Sequence, residues 1–124
     1  MEYVMSTAEQ IEQLMAHDHK GPIIMVNLLR FKPDGGAESY RKYSDFTSKY
    51  IKDKLGGRVV YGCKMLMPVI GEEEWDEVKL VEYPSIASFI EMQIDKEYQK
   101  MLKYRTEALI DSRLYLTVQA DSGE

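Results

Sequence analysis

Ile23-Ile24-Met25-Val26-Asn27-Leu28-Leu29-Arg30-Phe31 is an almost unbroken apolar run with one amide set inside it. Gly21-Pro22 opens it and Lys32-Pro33 closes it, so turn-forming residues bound it on both sides. A run this short and this apolar reads as a strand buried on both faces. Burying a side-chain amide costs about 1–3 kcal/mol unless it is hydrogen-bonded. Asn27 therefore needs a partner, which is either neighbouring backbone or a ligand.

Upstream, Ser6-Thr7-Ala8-Glu9 has the pattern of a capping box, a hydroxyl at the helix start and a carboxylate three residues on. Ile11, Leu14 and Met15 follow at helical spacing, and Gly21-Pro22 stops the helix, which makes residues 1–20 a helical extension. Downstream, Pro33-Asp34-Gly35-Gly36 is a turn by composition. From Glu38 to Leu55 a helix carries Tyr40, Tyr43, Thr47, Tyr50, Ile51 and Leu55 on one stripe, ended by Gly56-Gly57. Arg58 to Met67 and Trp75 to Tyr83 read as strands of an antiparallel hairpin, joined by an acidic connection from Pro68 to Glu74. Ser85 to Met92 is a short helix. Asp95 caps a longer one running to about Ile110, with Tyr98, Met101, Leu102, Arg105 and Ala108 on one face. Arg113 to Gln119 alternates as a last strand, and residues 120–124 read as a frayed, flexible tail.

Leaving aside the leading helix, the order is strand, helix, strand, strand, helix, strand. That is the α+β, ferredoxin-like βαββαβ arrangement, in which both main helices cover one face of a four-stranded sheet. Residues 1–124 read as one such domain with an extra N-terminal helix. The first strand is nevertheless apolar on both faces, so the second face needs cover. The same sheet of a second subunit supplies it at least cost; the rival cover is the N-terminal helix, whose apolar stripe is narrow. The expectation is a homodimer joined sheet to sheet.

The net charge of −5 comes with scattered rather than grouped Lys and Arg, which argues against nucleic acid and against an anionic membrane surface. No apolar stretch approaches a membrane span, and no charged segment followed by an apolar core opens the chain. A lone cysteine, Cys63, excludes an intrachain disulfide and fits a cytoplasmic location.

Val26-Asn27-Leu28-Leu29-Arg30-Phe31, the Tyr40 and Tyr43 pair, Gly56-Gly57-Arg58, Trp75-Asp76 and Tyr83-Pro84-Ser85 stand in this order, followed by Tyr98, Arg105 and Asp111-Ser112. Together they resemble the domain-of-unknown-function family thirteen-thirty, over roughly Gly21 to Val118. The resemblance implies a member of the dimeric α/β-barrel superfamily: a ferredoxin-like protomer whose sheet joins a second one to form the barrel. That superfamily includes cofactor-independent antibiotic-biosynthesis monooxygenases, muconolactone isomerases and haem-binding chlorite dismutases, so for chemistry it offers fold-level analogy only.

The ligand-binding candidates are Asn27, Arg30, Tyr43, Trp75, Asp76 and Arg105. Asn27 is a polar anchor for a ligand between the sheet and the partner subunit, or an amide bonded to backbone. Arg30 closes the same strand and pairs with a carboxylate or holds an acidic ligand. Arg105 interrupts an apolar helical stripe; it snorkels to solvent or forms a structural ion pair with Asp76 or Asp111 as the first expectation, and binds an acidic ligand as the second. Trp75 reads as packing, Asp76 as the partner of an arginine. Tyr40 and Tyr43 fill core, with their hydroxyls at its edge. His17 and His19, two apart near a helix end, do not converge on a metal and read as polar caps. No residue pattern calls for a metal or cofactor. The functional expectation is a small organic or acidic ligand in the barrel cavity. It comes with cofactor-independent monooxygenase- or isomerase-like chemistry, or else with a non-catalytic ligand-binding or structural dimerisation module.

Overall fold

The computed structural model describes residues 1–120. Its elements are α1 (Ala8–Ala16), β1 (Ile23–Phe31), α2 (Gly36–Tyr50), β2 (Arg58–Lys64), β3 (Glu77–Tyr83), α3 (Ile86–Ile94), α4 (Lys96–Ala108) and β4 (Leu109–Thr117). The sheet is four-stranded in the order β2-β3-β1-β4, and every neighbouring pair is antiparallel. This is the ferredoxin-like α+β fold. Of the expected tail at 120–124, residues 121–124 lie outside the described residues.

Strand alternation divides β1 between two environments. Ile23, Met25 and Leu29 are buried and pack with Tyr40, Tyr43 and Tyr50 of α2 and with Phe89, Met92 and Tyr98 of α3 and α4. Each such large apolar side chain, fully buried, contributes about 1.5–3 kcal/mol, so this face holds the core. Ile24, Val26 and Leu28, on the other face, are only half-buried within one chain. The expectation that β1 is buried on both faces is thus corrected for the protomer, because no element among the described residues covers that second face. The α1 helix does not do so: it leans on α3, on the helix side, with Leu14 packed against the core and no residue of its own buried.

Local chemistry moves several boundaries. The cap of α1 falls on Thr7 rather than Ser6, since Gln10 closes the box: Gln10 N donates to Thr7 Oγ1 (3.1 Å) and Thr7 N to Gln10 Oε1 (3.0 Å). The α2 stripe runs on through one π-helical turn, Ile51–Leu55, before Gly56 turns out with a φ of 76°. Gly57 is held closer still, since a Cβ there would lie 2.3 Å from Glu82 O. The last strand begins at Leu109, four residues before the expected Arg113, because Leu109 and Asp111 pair with Phe31 and Arg30 across a bulge. Trp75 and Asp76 fall outside β3. There Asp76 N donates to Leu29 O (2.8 Å) and its carboxylate accepts from Phe31 N (2.7 Å), which closes the end of β1.

Candidate functional site

Two groups of polar side chains stand apart in this fold. The first lies at the far end of β1, on the sheet face away from the helices. Asp111 is 3 % exposed and accepts hydrogen bonds from Tyr3 N (2.7 Å), Ser112 N (2.9 Å) and Arg113 Nη1 (2.6 Å), with Arg30 Nη1 at 3.5 Å. Burial alone would raise its carboxyl pKa, but these donors outweigh it and bring the group below the ordinary carboxylate value. Trp75 is buried, with Arg30 and Arg113 over its ring at 4.9 and 5.2 Å. Arg30 also donates from Nε to Glu74 O (3.1 Å). Every charge in this group is answered within the chain, so it is an assembly that fixes the sheet end and the N-terminal arm. Arg30 and Trp75 belong to it, and Asp76 has turned to backbone. None of these three reaches the cavity described next.

The second group surrounds a cavity of about 760 Å³ between the helix-covered face of the sheet, α3, α4 and the arm that carries α1. Asn27, Tyr43 and Arg105 all line it, together with Met25, Tyr83, Phe89, Met92, Tyr98 and Leu102. The period-two geometry that puts Asn27 beside Met25 and Leu29 therefore turns it toward the helices. The expected site between the sheet and a partner subunit is corrected accordingly: the amide looks into the protomer's own interior. Its Nδ2 lies 3.5 Å from both Met25 O and Lys79 O, at the outer limit of hydrogen bonding, so backbone holds it only loosely.

The tyrosines supply the next polar feature. Tyr43 Oη and Tyr98 Oη are 2.6 Å apart, and both residues are buried. In such a pair one hydroxyl donates to the other, which leaves the second proton for another acceptor. Burial, reinforced by Tyr98, pushes the Tyr43 pKa well above 10. Burial also raises Tyr83, and carries Tyr40 to about 12. These phenols are neutral hydrogen-bond donors at physiological pH.

Arg105 departs from its first expectation. It is half-buried and donates to Val4 O (3.1 Å); among the described residues no carboxylate lies within 4.0 Å of it. Asp111 is taken by Arg113 and Asp76 by backbone, so neither is left to pair with it.

A smaller void of about 30 Å³ lies behind this wall, between Asn27, Lys79 and α2. It has room for about one water. Thr47 Oγ1 is buried beside it without a hydrogen-bond partner among the described residues. Lys79 sits over the Tyr40 ring at 5.0 Å and bonds to Ser44 Oγ, and desolvation lowers its pKa.

Sequence reasoning missed Tyr83, Tyr98, Lys79 and Phe89 as lining or neighbouring groups. Tyr98 stood on the α4 stripe, and the alternation of Lys79 with Val81 and Tyr83 was a signal that these three share a face. Among the described residues no helix is long and apolar enough to cross a membrane, and no three His, Cys, Asp or Glu side chains come together as metal ligands.

Comparison with known proteins adds to this geometry. A protein of unknown function from Rhodopseudomonas palustris, RPA0582, is 37 % identical in sequence, with a TM-score of 0.88 over 98 % of this chain and 99 % of that one. The methylated form of RPA0582 superposes with a TM-score of 0.89 at the same 37 % identity, over 99 % of this chain and 98 % of that one. SnoaB, a cofactor-independent oxygenase from Streptomyces nogalater, shares 10 % identity and a TM-score of 0.58 over 84 % of this chain and 99 % of its own. A dimeric ferredoxin-like protein of unknown function from Thermobifida fusca has a TM-score of 0.55 at 10 % identity, over 84 % and 96 % of the two chains. At such identities the last two show the fold alone. No family model and no curated protein matches the chain.

Proposed function

Since the chain belongs to the family of the Rhodopseudomonas palustris RPA0582 protein, we propose that it binds a small organic ligand in the cavity between its sheet and its helices. The observation that carries this reading is the cavity itself. Its volume of about 760 Å³ is in the range of small-molecule sites, and its mainly apolar wall is interrupted by Asn27, the Tyr43–Tyr98 pair and Arg105. A purely structural module would fill that space with its own side chains.

The same reading includes a homodimer joined through the uncovered sheet face, where Ile24, Val26 and Leu28 of β1 adjoin Val78 and Leu80 of β3. The dimeric Thermobifida fusca protein of like fold supports it. It treats residues 1–124 as one domain with a helical extension, places the protein in the cytoplasm in keeping with the free thiol of Cys63, and assigns it to domain-of-unknown-function family thirteen-thirty on the ordered motifs above. Cofactor-independent turnover of the ligand is the enzymatic extension of this reading, by analogy with the oxygenase SnoaB.

The test is a saturation-transfer NMR screen of small aromatic and aliphatic compounds, repeated on Leu102→Trp, which puts an indole on the cavity wall and reshapes it. Binders whose signal weakens in the variant are expected. A screen without binders, or binders indifferent to the altered wall, would overturn the reading.

A further inference from the structure

We infer that the ligand of this cavity is an organic monoanion, an apolar body carrying one carboxylate-type group that docks on Arg105. The inference rests on the proposed ligand site and names its chemistry. It begins from the charge of the lining. The chain as a whole is acidic, with 21 Asp and Glu against 16 Lys and Arg, yet among the described residues no Asp or Glu lines the cavity. Two arginines do. Arg113 is already answered, by Asp111 at 2.6 Å and by Ser112 O at 2.8 Å. Arg105 is not: one hydrogen bond, to the Val4 carbonyl at 3.1 Å, is what the described residues offer its five N–H donors.

A half-buried arginine with no carboxylate beside it among the described residues is costly, and one that faces an apolar cavity leaves a place for an anion. Its planar fork matches a carboxylate in a bidentate contact, while a phosphate dianion carries a second charge that Arg105 alone would not answer. The rest of the wall agrees. The Tyr43–Tyr98 hydroxyl pair has one proton left to donate, and Asn27 adds a weakly held amide. Arg105 also opposes the rise of the Tyr43 and Tyr83 pKa values, so its field reaches across the site. Around these donors, Met25, Phe89, Met92 and Leu102 offer surface to a carbon skeleton. The Val4 carbonyl, 3.1 Å from Arg105 Nη1, stands in one of the positions that an anionic oxygen would take.

The experiment compares 2-naphthoate with its neutral near-isostere 2-naphthamide by isothermal titration calorimetry, on the full chain and on Arg105→Gln and Arg105→Lys. The wild type should bind the acid about ten-fold or more tightly than the amide, because only the acid brings a charged acceptor to the guanidinium. Arg105→Gln should lose that preference while holding its affinity for the amide, which shows that the cavity is intact. Arg105→Lys should keep much of it. Equal binding of acid and amide by the wild type, or a preference that survives in Arg105→Gln, would overturn the anion assignment and leave the cavity site standing. If neither compound binds the wild type, both readings fall.

Discussion

The Tyr43–Tyr98 hydroxyl pair offers a quantitative handle on the cavity wall. The two oxygens are 2.6 Å apart, and the residues are 7 % and 3 % exposed, so each hydroxyl has little access to bulk water. Removing one oxygen by Tyr98→Phe leaves the Tyr43 hydroxyl without its partner, which for a buried group costs about 1–3 kcal/mol. Because both residues border the cavity, a water there can take over part of the lost bond. That places each single change at the low end, roughly 1 kcal/mol. Replacing both removes donor and acceptor together and strands nothing, so the double variant should cost no more than either single one. The coupling is then roughly 1 kcal/mol, about two to three times the usual deviation from additivity for distant sites. Urea unfolding followed by circular dichroism measures it, with a shared slope across the four proteins confirming a common unfolding reaction. Additive costs for the two single changes would refute the reasoning, since they would mean that the hydroxyls do not meet.

Gly57→Ala should be markedly destabilising, by roughly 2–4 kcal/mol in urea unfolding, because its Cβ would stand 2.3 Å from Glu82 O and 2.8 Å from Ile51 Cγ2. Gly71→Ala, at a φ of 94° in open space, should cost about 1 kcal/mol, and a reversal of that order would contradict the packing described. Asp111 has a folded-state pKa below its unfolded value, so its stabilisation is present above about pH 3.9 and lost as pH falls through the folded value. The stability gap between wild type and Asp111→Asn should therefore be full at pH 7 and close in acid; a constant gap down to pH 2 in acid-unfolding curves would refute it. Val26→Lys puts a charge in the middle of the uncovered sheet face, opposite Leu80 and Tyr115. It should weaken the proposed dimer roughly a hundred-fold or more in sedimentation while leaving the circular dichroism spectrum unchanged; a monomeric wild type, or a dimer the change leaves undisturbed, would contradict that interface.

The fold was legible because its signals were local and repeated. The apolar run of β1, the tyrosine stripe of α2 and the Gly56-Gly57 stop each declare an element, and their order leaves few topologies. The site was legible only in part, and β1 shows why. Ile24, Val26 and Leu28 are as apolar as Ile23, Met25 and Leu29, so no alternation marks which face the helices take, and Asn27 was turned to the wrong side. Arg105 was assigned a carboxylate because charge pairing is the common fate of a buried arginine. Which acids were already engaged depended on contacts across more than a hundred residues, such as Tyr3 N to Asp111 Oδ1. The N-terminal arm that supplies Val4 to Arg105 and roofs the cavity was read as an appendage, since its own apolar stripe is short.

The central claim is that the ligand sits between the sheet and the helices of one protomer. Methionine methyl NMR tests it most directly, because the chain's eight methionines report from both sides. Met25 and Met92 line the cavity, whereas Met65 lies beside Trp75, its sulfur 3.1 Å from Trp75 N, and Met67 is exposed in the connection after β2. On titration with 2-naphthoate the Met25 and Met92 methyl signals should shift together and saturate, while those of Met65 and Met67 stay still. Saturable shifts at Met65 and Met67 with Met25 and Met92 unmoved would contradict the claim.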